Sequence, residues 1–235
     1  MTPTPTRRHI LSLLVRERSD PDPYYLALAR RTVDELPVEL DGASVIDLGC
    51  GSGHDAEAMR LRGASVVSID IDPDTARRAF TRGTPSLAAS ALSTPFADDS
   101  FDGVYCSNVL EHVPSPEAFF DEVGRVLRPG GWAWVSWTNW YSPWGGHNIT
   151  PLHYLGPERG LAAWSRLFGA PDKNVPGEGL FVTTIGGILE LVEGSDDLDL
   201  VDAWPRYYPG QRWILSVPGV REVLTWNCAM LLRRR

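Results

Sequence analysis

The 235-residue sequence predicts an α/β fold built on a doubly wound, mostly parallel sheet, and three observations carry that expectation. Short apolar runs alternate with helical segments at βα spacing as far as about residue 138. The first strong apolar run stops at a glycine cluster, Gly49-Cys50-Gly51-Ser52-Gly53, which opens into a helical stretch. Proline and glycine then punctuate the junctions, with Pro23, Pro73 and Pro116 at helix starts and Gly63 at a helix end.

Taken in order, residues 23–36 read as a helix with Asp22 as its cap. Ser44–Leu48 (SVIDL) is a buried strand, Ala56–Leu61 a helix and Ser65–Ile69 a second strand. Pro73–Thr81 is a helix, Leu87–Ala91 a third strand and Phe101–Cys106 a fourth. Pro116–Leu127 follows as a helix, and Trp132–Trp137 is a fifth strand after the turn Pro129-Gly130-Gly131. The pattern then changes. Residues 139–180 are rich in Gly, Pro, His and Trp, with one helix over Glu158–Phe168. Ile185–Val192 reads as a helix, and Asp199–Trp204 and Trp226–Leu232 as final strands.

Composition narrows the function. Hydrophobic residues at 43% and charged residues at 22% are ordinary for a globular protein that buries a core. The net charge of -8 provides no basic field for nucleic acid. Three scattered cysteines (Cys50, Cys106, Cys228) make neither a disulfide framework nor a zinc site, which points to a reducing cytoplasm. No segment has the roughly 18–20 consecutive apolar residues of a spanning helix. The run Ile10–Val15, closed by Arg16-Glu17-Arg18, lacks a cleavage site and is not read as a signal peptide. The Thr/Pro alternation of residues 2–6 is expected to fray.

Two cofactors compete for the glycine loop. Gly51, Gly53 and Ala56 satisfy G-x-G-x-x-[GA], and Asp70 lies where a dinucleotide's ribose-binding acid would stand, so an NAD-dependent oxidoreductase is a live reading. Asp47 argues against it. A carboxylate at the end of the first strand would face a pyrophosphate, and like charges about 4 Å apart repel by about 4 kcal/mol at an effective dielectric of 20. S-adenosylmethionine has no phosphate and carries an ammonium and a sulfonium, so the same acid favours it.

Asp47-x-Gly49-x-Gly51-x-Gly53 resembles motif I of the class I S-adenosylmethionine-dependent methyltransferases, and Ser68–Pro73 (SIDIDP) is similar to their post-I acidic loop. Thr94–Asp102, Asn108–Val113 (NVLEHV) and Arg125–Gly131 (RVLRPGG) are similar to the small-molecule branch called type 11. The resemblance covers residues 40–138, with the motifs in family order. It implies a Rossmann-like sheet of seven strands in the order 3-2-1-4-5-7-6, the last antiparallel. It also implies that Asp47, Gly49, Gly51 and Gly53 hold the methionine end and Asp70 the ribose. Ile71 would pack on the adenine, Ala91 and Leu92 would meet its edge, and Asn108 would line the floor. Ser90 stands where the family often has an Asp for the adenine amino group. Glu111-His112 is the family's structural turn, with contact to substrate the lesser reading. A methyltransferase-like scaffold subunit without turnover is a further alternative.

On this basis residues 1–235 form one methyltransferase domain: an N-terminal helical cap (1–40), a cofactor-binding core (41–138), a substrate lid inserted after the fifth strand (139–180) and the completion of the sheet (181–235). Substrate selection falls to the insertion, because ligands of open α/β sheets lie beyond the carboxyl ends of the strands. Five of the nine Trp lie between 132 and 144; Trp132 and Trp134 are expected in the core. Trp140, Trp144 and Tyr154 are the candidate substrate walls. His147 and His153, the histidines of the insertion, are the candidate bases for a hydroxyl acceptor, and no metal ligands are assigned. Asp98-Asp99, Asp196-Asp197 and the tail Arg233–Arg235 read as solvated. Insertion and tail resemble uncharacterised actinobacterial-type methyltransferases. The expected reaction is O-methylation of a small hydroxylated metabolite such as a glycoside, glycolipid or polyketide, with the oligomeric state open, a homodimer included.

Overall fold

The structure, a computed structural model, describes residues 4–14 and 19–235. The basic stretch 16–18 and the start of the Thr/Pro alternation lie outside the described residues. The strands are β1 (Ser44–Leu48), β2 (Ser65–Asp70), β3 (Ser86–Ala88), β4 (Phe101–Ser107), β5 (Leu127–Thr138), β6 (Leu198–Pro205) and β7 (Asn227–Arg234). They form one seven-stranded sheet in the order β3-β2-β1-β4-β5-β7-β6. The chain divides into two compact units, Met1–Ala91 with Phe101–Gly103, and Leu92–Ser100 with Val104–Arg235.

In the first unit β1 pairs with β2, and β2 with β3, all parallel. Val45, Ile46 and Leu48 are fully buried, which explains why β1 reads as a continuous apolar run without alternation. The helices are α1 (Arg7–Leu14), α2 (Asp22–Asp34), α3 (His54–Leu61) and α4 (Pro73–Thr81). Asp22 is not the cap of α2; it sits in the first helical turn, where it pairs with Arg82 and His54. Asp72 caps α4, its side chain accepting from the Asp74 N–H, with Pro73 at the first helical position.

In the second unit β7 runs antiparallel to both β5 and β6. The helices are α5 (Pro116–Val126), α6 (Pro157–Phe168), α7 (Ile185–Glu193) and α8 (Val220–Leu224). β5 continues through Pro129-Gly130-Gly131, which reads as a turn in sequence; Gly130, at φ +79°, absorbs the irregularity inside the strand. Trp132 and Trp134 are buried as expected, Trp134 stacking on Tyr105 with 4.8 Å between centroids. The terminal arginines are engaged: Arg234 pairs with Asp197 and Arg235 with Asp199, and Arg233 donates to the Gly130 carbonyl. The two oxygens of Glu222 on α8 accept the first amides of α7, Ile185 N–H and Gly186 N–H, both at 2.8 Å.

The loop ahead of β4 is fastened by one ion-pair network. Buried Glu122 on α5 accepts from the Thr94 N–H at 2.7 Å and from Arg125 at both oxygens. Arg125 also donates to the Phe96 carbonyl and pairs with Asp98 at 2.7 Å. Burial alone would raise the Glu122 pKa, but the hydrogen bonds from Arg125 and Thr94 outweigh it and the net shift is downward. A depressed folded-state pKa stabilises above the ordinary carboxylate range, and the contribution disappears as pH falls through the folded value. Glu122→Gln is therefore expected to cost about 1–3 kcal/mol at neutral pH. Urea melts at neutral pH and near pH 3 are the check: the gap between variant and parent should shrink on acidification, and a constant gap would contradict the network's role.

Candidate active site

In the first unit the chain leaves β1 through three glycines with left-handed backbones, Gly49 (φ +72°), Gly51 (φ +53°) and Gly53 (φ +79°). Any other residue is strained there. A Cβ on Gly53 would also come within 2.9 Å of Ala79 in α4, whereas one on Gly51 would meet nothing within 4 Å. The turn is pinned from β2: Gly49 N–H and Cys50 N–H both donate to the Ile69 carbonyl at 2.9 Å. Asp70 completes the clamp, one oxygen accepting from the Gly51 N–H at 3.1 Å and the other from the Asp72 N–H at 3.0 Å.

Beneath this turn Asp47 is 2% exposed and its Oδ2 has no hydrogen-bond partner. Burial, then the nearby carboxylates of Asp55 and Asp70, push its pKa well above the ordinary range. An unsatisfied buried carboxyl oxygen is costly and calls for a donor, preferably a cation. Cys50 offers no nucleophile, because burial pushes its thiol pKa up. Ile71 is 78% exposed, the property expected of a residue that packs on a flat ligand. Ala91, at the end of this unit, is half-buried.

In the second unit Leu92 is half-buried, and Asn108 follows β4 with φ +57°. The Asn108 side-chain oxygen accepts from Asn227 at 2.7 Å, and its N–H donates to the Ser136 carbonyl at 2.8 Å. A 3-10 turn over Leu110–His112 then presents Glu111 and His112, and a second, over His147–Ile149, presents His147. One ligand atom from each of Glu111, His112 and His147 lies within 4.8 Å of the others. Spacing did not reveal this group, since His147 arrives from a segment 35 residues downstream of His112.

The histidines of the insertion differ sharply. His147 is half-buried, has φ +46°, and its Nδ1 lies 3.3 Å from the Gly145 carbonyl. His153 is fully buried, its Nε2 3.1 Å from the Ser142 carbonyl. Burial lowers both pKa values, so both imidazoles are neutral at neutral pH. His153 sits under Gly146, where a Cβ would come within 2.4 Å of its ring, and packs edge-on against Trp140. Trp140 is itself 2% exposed and is part of this packing rather than a wall. Trp144 and Tyr154 are more than half exposed, Trp144 leaning edge-on against Trp226. Sequence reasoning also passed over Arg206, whose guanidinium donates to the Ser107 and Ser136 hydroxyls and lies 5.1 Å over the Trp134 ring.

The family described as a methyltransferase domain matches residues 46–135. A Mycobacterium marinum protein described as an uncharacterized methyltransferase is 39% identical over 239 residues, spanning 96% of this chain and 93% of its own. A Mycobacterium tuberculosis protein of the same description is 38% identical over 247 residues, spanning 97% of this chain and 95% of its own. Among solved structures, an S-adenosylmethionine-dependent methyltransferase from Mesorhizobium loti shares the fold, with a TM-score of 0.62 at 23% identity over 89% of this chain and 98% of that one. These relatives leave the nicotinamide reading of the glycine loop without support. With the expected strand order and antiparallel β7 in place, the chain belongs to the class I S-adenosylmethionine-dependent methyltransferases.

Proposed function

We propose that the enzyme methylates a hydroxyl of a small molecule, of the glycoside, glycolipid or polyketide kind, and that residues 139–180 cover the acceptor. The observation that carries this reading is the grouping of Glu111, His112 and His147 in the second unit. A hydroxyl is a poor nucleophile until its proton is removed, and a buried carboxyl group beside two imidazoles is equipment for that step. His147 is assigned to this proton-accepting group. His153, enclosed by Ser142, Gly146 and Trp140, is a positioning residue for the turn that carries His147. Trp144 and Tyr154 are assigned to the acceptor on their exposure, and three buried cysteines outside any disulfide suit a reducing cytoplasm.

The first unit's residues fit S-adenosylmethionine. The unpartnered Asp47 Oδ2 is the acceptor an α-ammonium requires, and the open space over Gly51 admits close backbone approach. Asp70 is assigned to the ribose hydroxyls, while its bonds to Gly51 and Asp72 keep the turn in shape. Ala91, Leu92 and Asn108 carry the roles that the family resemblance gives them. When bound, the cofactor supplies an electrophilic methyl group: a carbon–oxygen bond to the acceptor forms as the carbon–sulfur bond breaks, its electron pair passing to sulfur. The chain's own part is to orient the two reactants and receive the hydroxyl proton.

Asp47 makes binding pH-dependent. Its raised pKa keeps the carboxyl protonated in the free protein up to that value, and a cation beside it favours the carboxylate. Binding of S-adenosylhomocysteine, which retains the ammonium, is therefore expected to release a proton and to strengthen as pH rises toward that pKa. Calorimetry in buffers of different ionisation heat reads the release directly. Asp47→Asn should bind more weakly and release none; an unchanged proton count would rule the assignment out. In the same assay Asp70→Ala should weaken binding about 10–100-fold, the equivalent of about 1–3 kcal/mol, and Asp70→Asn by less.

The acceptor is approached with a labelled-methyl screen over hydroxylated metabolite pools. On the best acceptor, Glu111→Gln and His147→Ala are each expected to reduce kcat by about 10²–10⁴-fold, the range of general acid–base catalysis. Full turnover in both variants would remove the cluster from the reaction while leaving the methyltransferase assignment intact.

A further inference from the structure

We propose that Glu111, His112 and His147 form a binding site for one divalent transition-metal ion, of the zinc, cobalt or iron(II) type, which the acceptor hydroxyl completes. The proposal deepens the reading of this cluster as the acceptor's proton site and rests on it for its catalytic meaning, though not for the ion itself.

The donor set has the required chemistry. Glu111 is 1% exposed; its Oε1 accepts from the Thr138 N–H at 2.9 Å, and its Oε2 is buried with no partner. Among the described residues no Lys or Arg pairs with it, and Oε2 is left open to a cation. His112 Nδ1 lies 2.6 Å from the Gly179 carbonyl, and His147 Nδ1 lies 3.3 Å from the Gly145 carbonyl. A carbonyl can only accept, so each ring carries a proton on Nδ1, and the neutral tautomer with that proton leaves its lone pair on Nε2. That backbone-oriented tautomer is the usual outer support of a metal-binding histidine.

Two imidazoles and one carboxylate select a borderline cation over magnesium or calcium, which prefer all-oxygen sites. Ligand atoms about 2.0–2.2 Å from a common ion are at most about 4.4 Å apart. The three ligand atoms lie within 4.8 Å of one another, so binding an ion draws them together by side-chain rotation. Three protein ligands leave positions open for a substrate oxygen, and a bound cation lowers the pKa of that oxygen. An ion held by Glu111, His112 and His147 would make the acceptor hydroxyl more acidic, so that its proton would pass to solvent, with His147 serving as a ligand in place of the proton-accepting role it has in the metal-free site.

The test is binding of the metal alone. The full chain, stripped with a chelator, is titrated with Co²⁺ followed by visible d–d absorption, and with Zn²⁺ by calorimetry. One ion per chain is expected, with affinity lowered more than tenfold in each of Glu111→Gln, His112→Ala and His147→Ala. The exposed His9→Ala should bind as the parent does. Glu111→Gln retains the acceptor for Thr138, and unchanged circular dichroism in any of the three variants keeps the comparison valid. No stoichiometric ion, or equal binding by all variants, overturns the proposal. Loss of methyl transfer in the variants with no ion bound by the parent would overturn the metal site and leave the proton-site reading standing. One ion lost together with undiminished methyl transfer would confirm the site and overturn that reading instead.

Discussion

Asp70 fixes the shape of the first unit's carboxyl edge. Its two oxygens take the N–H groups of Gly51 and Asp72, so one side chain at the end of β2 shapes both the glycine turn after β1 and the entry to α4. Three consecutive odd-numbered glycines make that turn accessible to the backbone, yet glycine also makes it floppy, and its ordering entropy has to be offset locally. The Ile69 carbonyl and the Asp70 carboxylate provide the offset from a strand already locked in the sheet by parallel pairing with β1.

With the turn rigid, Asp47 acquires its meaning. An isolated buried acid with an unused oxygen destabilises a fold, and nothing in the packing of β1 requires one there, since its neighbours Ile46 and Leu48 are plain core. On the proposed assignment of Asp47 to the α-ammonium, a cationic ligand recovers that cost, the pattern expected of strain concentrated at functional sites. Glu111 repeats the pattern in the second unit: a buried carboxylate tied to the backbone by one oxygen and left open at the other. Among the described residues each unit thus keeps one buried carboxyl group with an unpartnered oxygen.

Much of this was legible in the sequence because it is local. The turn, Asp70 and the helix starts at Pro73 and Pro116 are written in runs of a few residues whose backbone demands are severe, and the strand–helix alternation follows from burial on both faces. What sequence reasoning missed is non-local. Trp140 and His153 read as site residues by type, but Gly145 and Gly146 exist to let the chain close over them, and a Cβ on either glycine would strike Trp140's carbonyl or the His153 ring. Pro129-Gly130-Gly131 reads as a turn because composition does not reveal that β7 pairs along β5 from Trp132 to Thr138. The approach of His147 to Glu111-His112, and of Arg206 to Ser107 and Ser136, depends on chain segments whose separation carries no periodic signal.

On the proposed assignment, the clamped glycine turn and the acid beneath it receive the amino-acid end of S-adenosylmethionine. A crystal structure of the full chain with S-adenosylhomocysteine tests it most directly. The expected result is the ligand's ammonium within hydrogen-bond distance of Asp47 Oδ2, its ribose hydroxyls on Asp70, and the Gly51 and Asp72 amides still bonded to Asp70. A ligand bound elsewhere, or bound here with Asp47 Oδ2 still unpartnered, would contradict it.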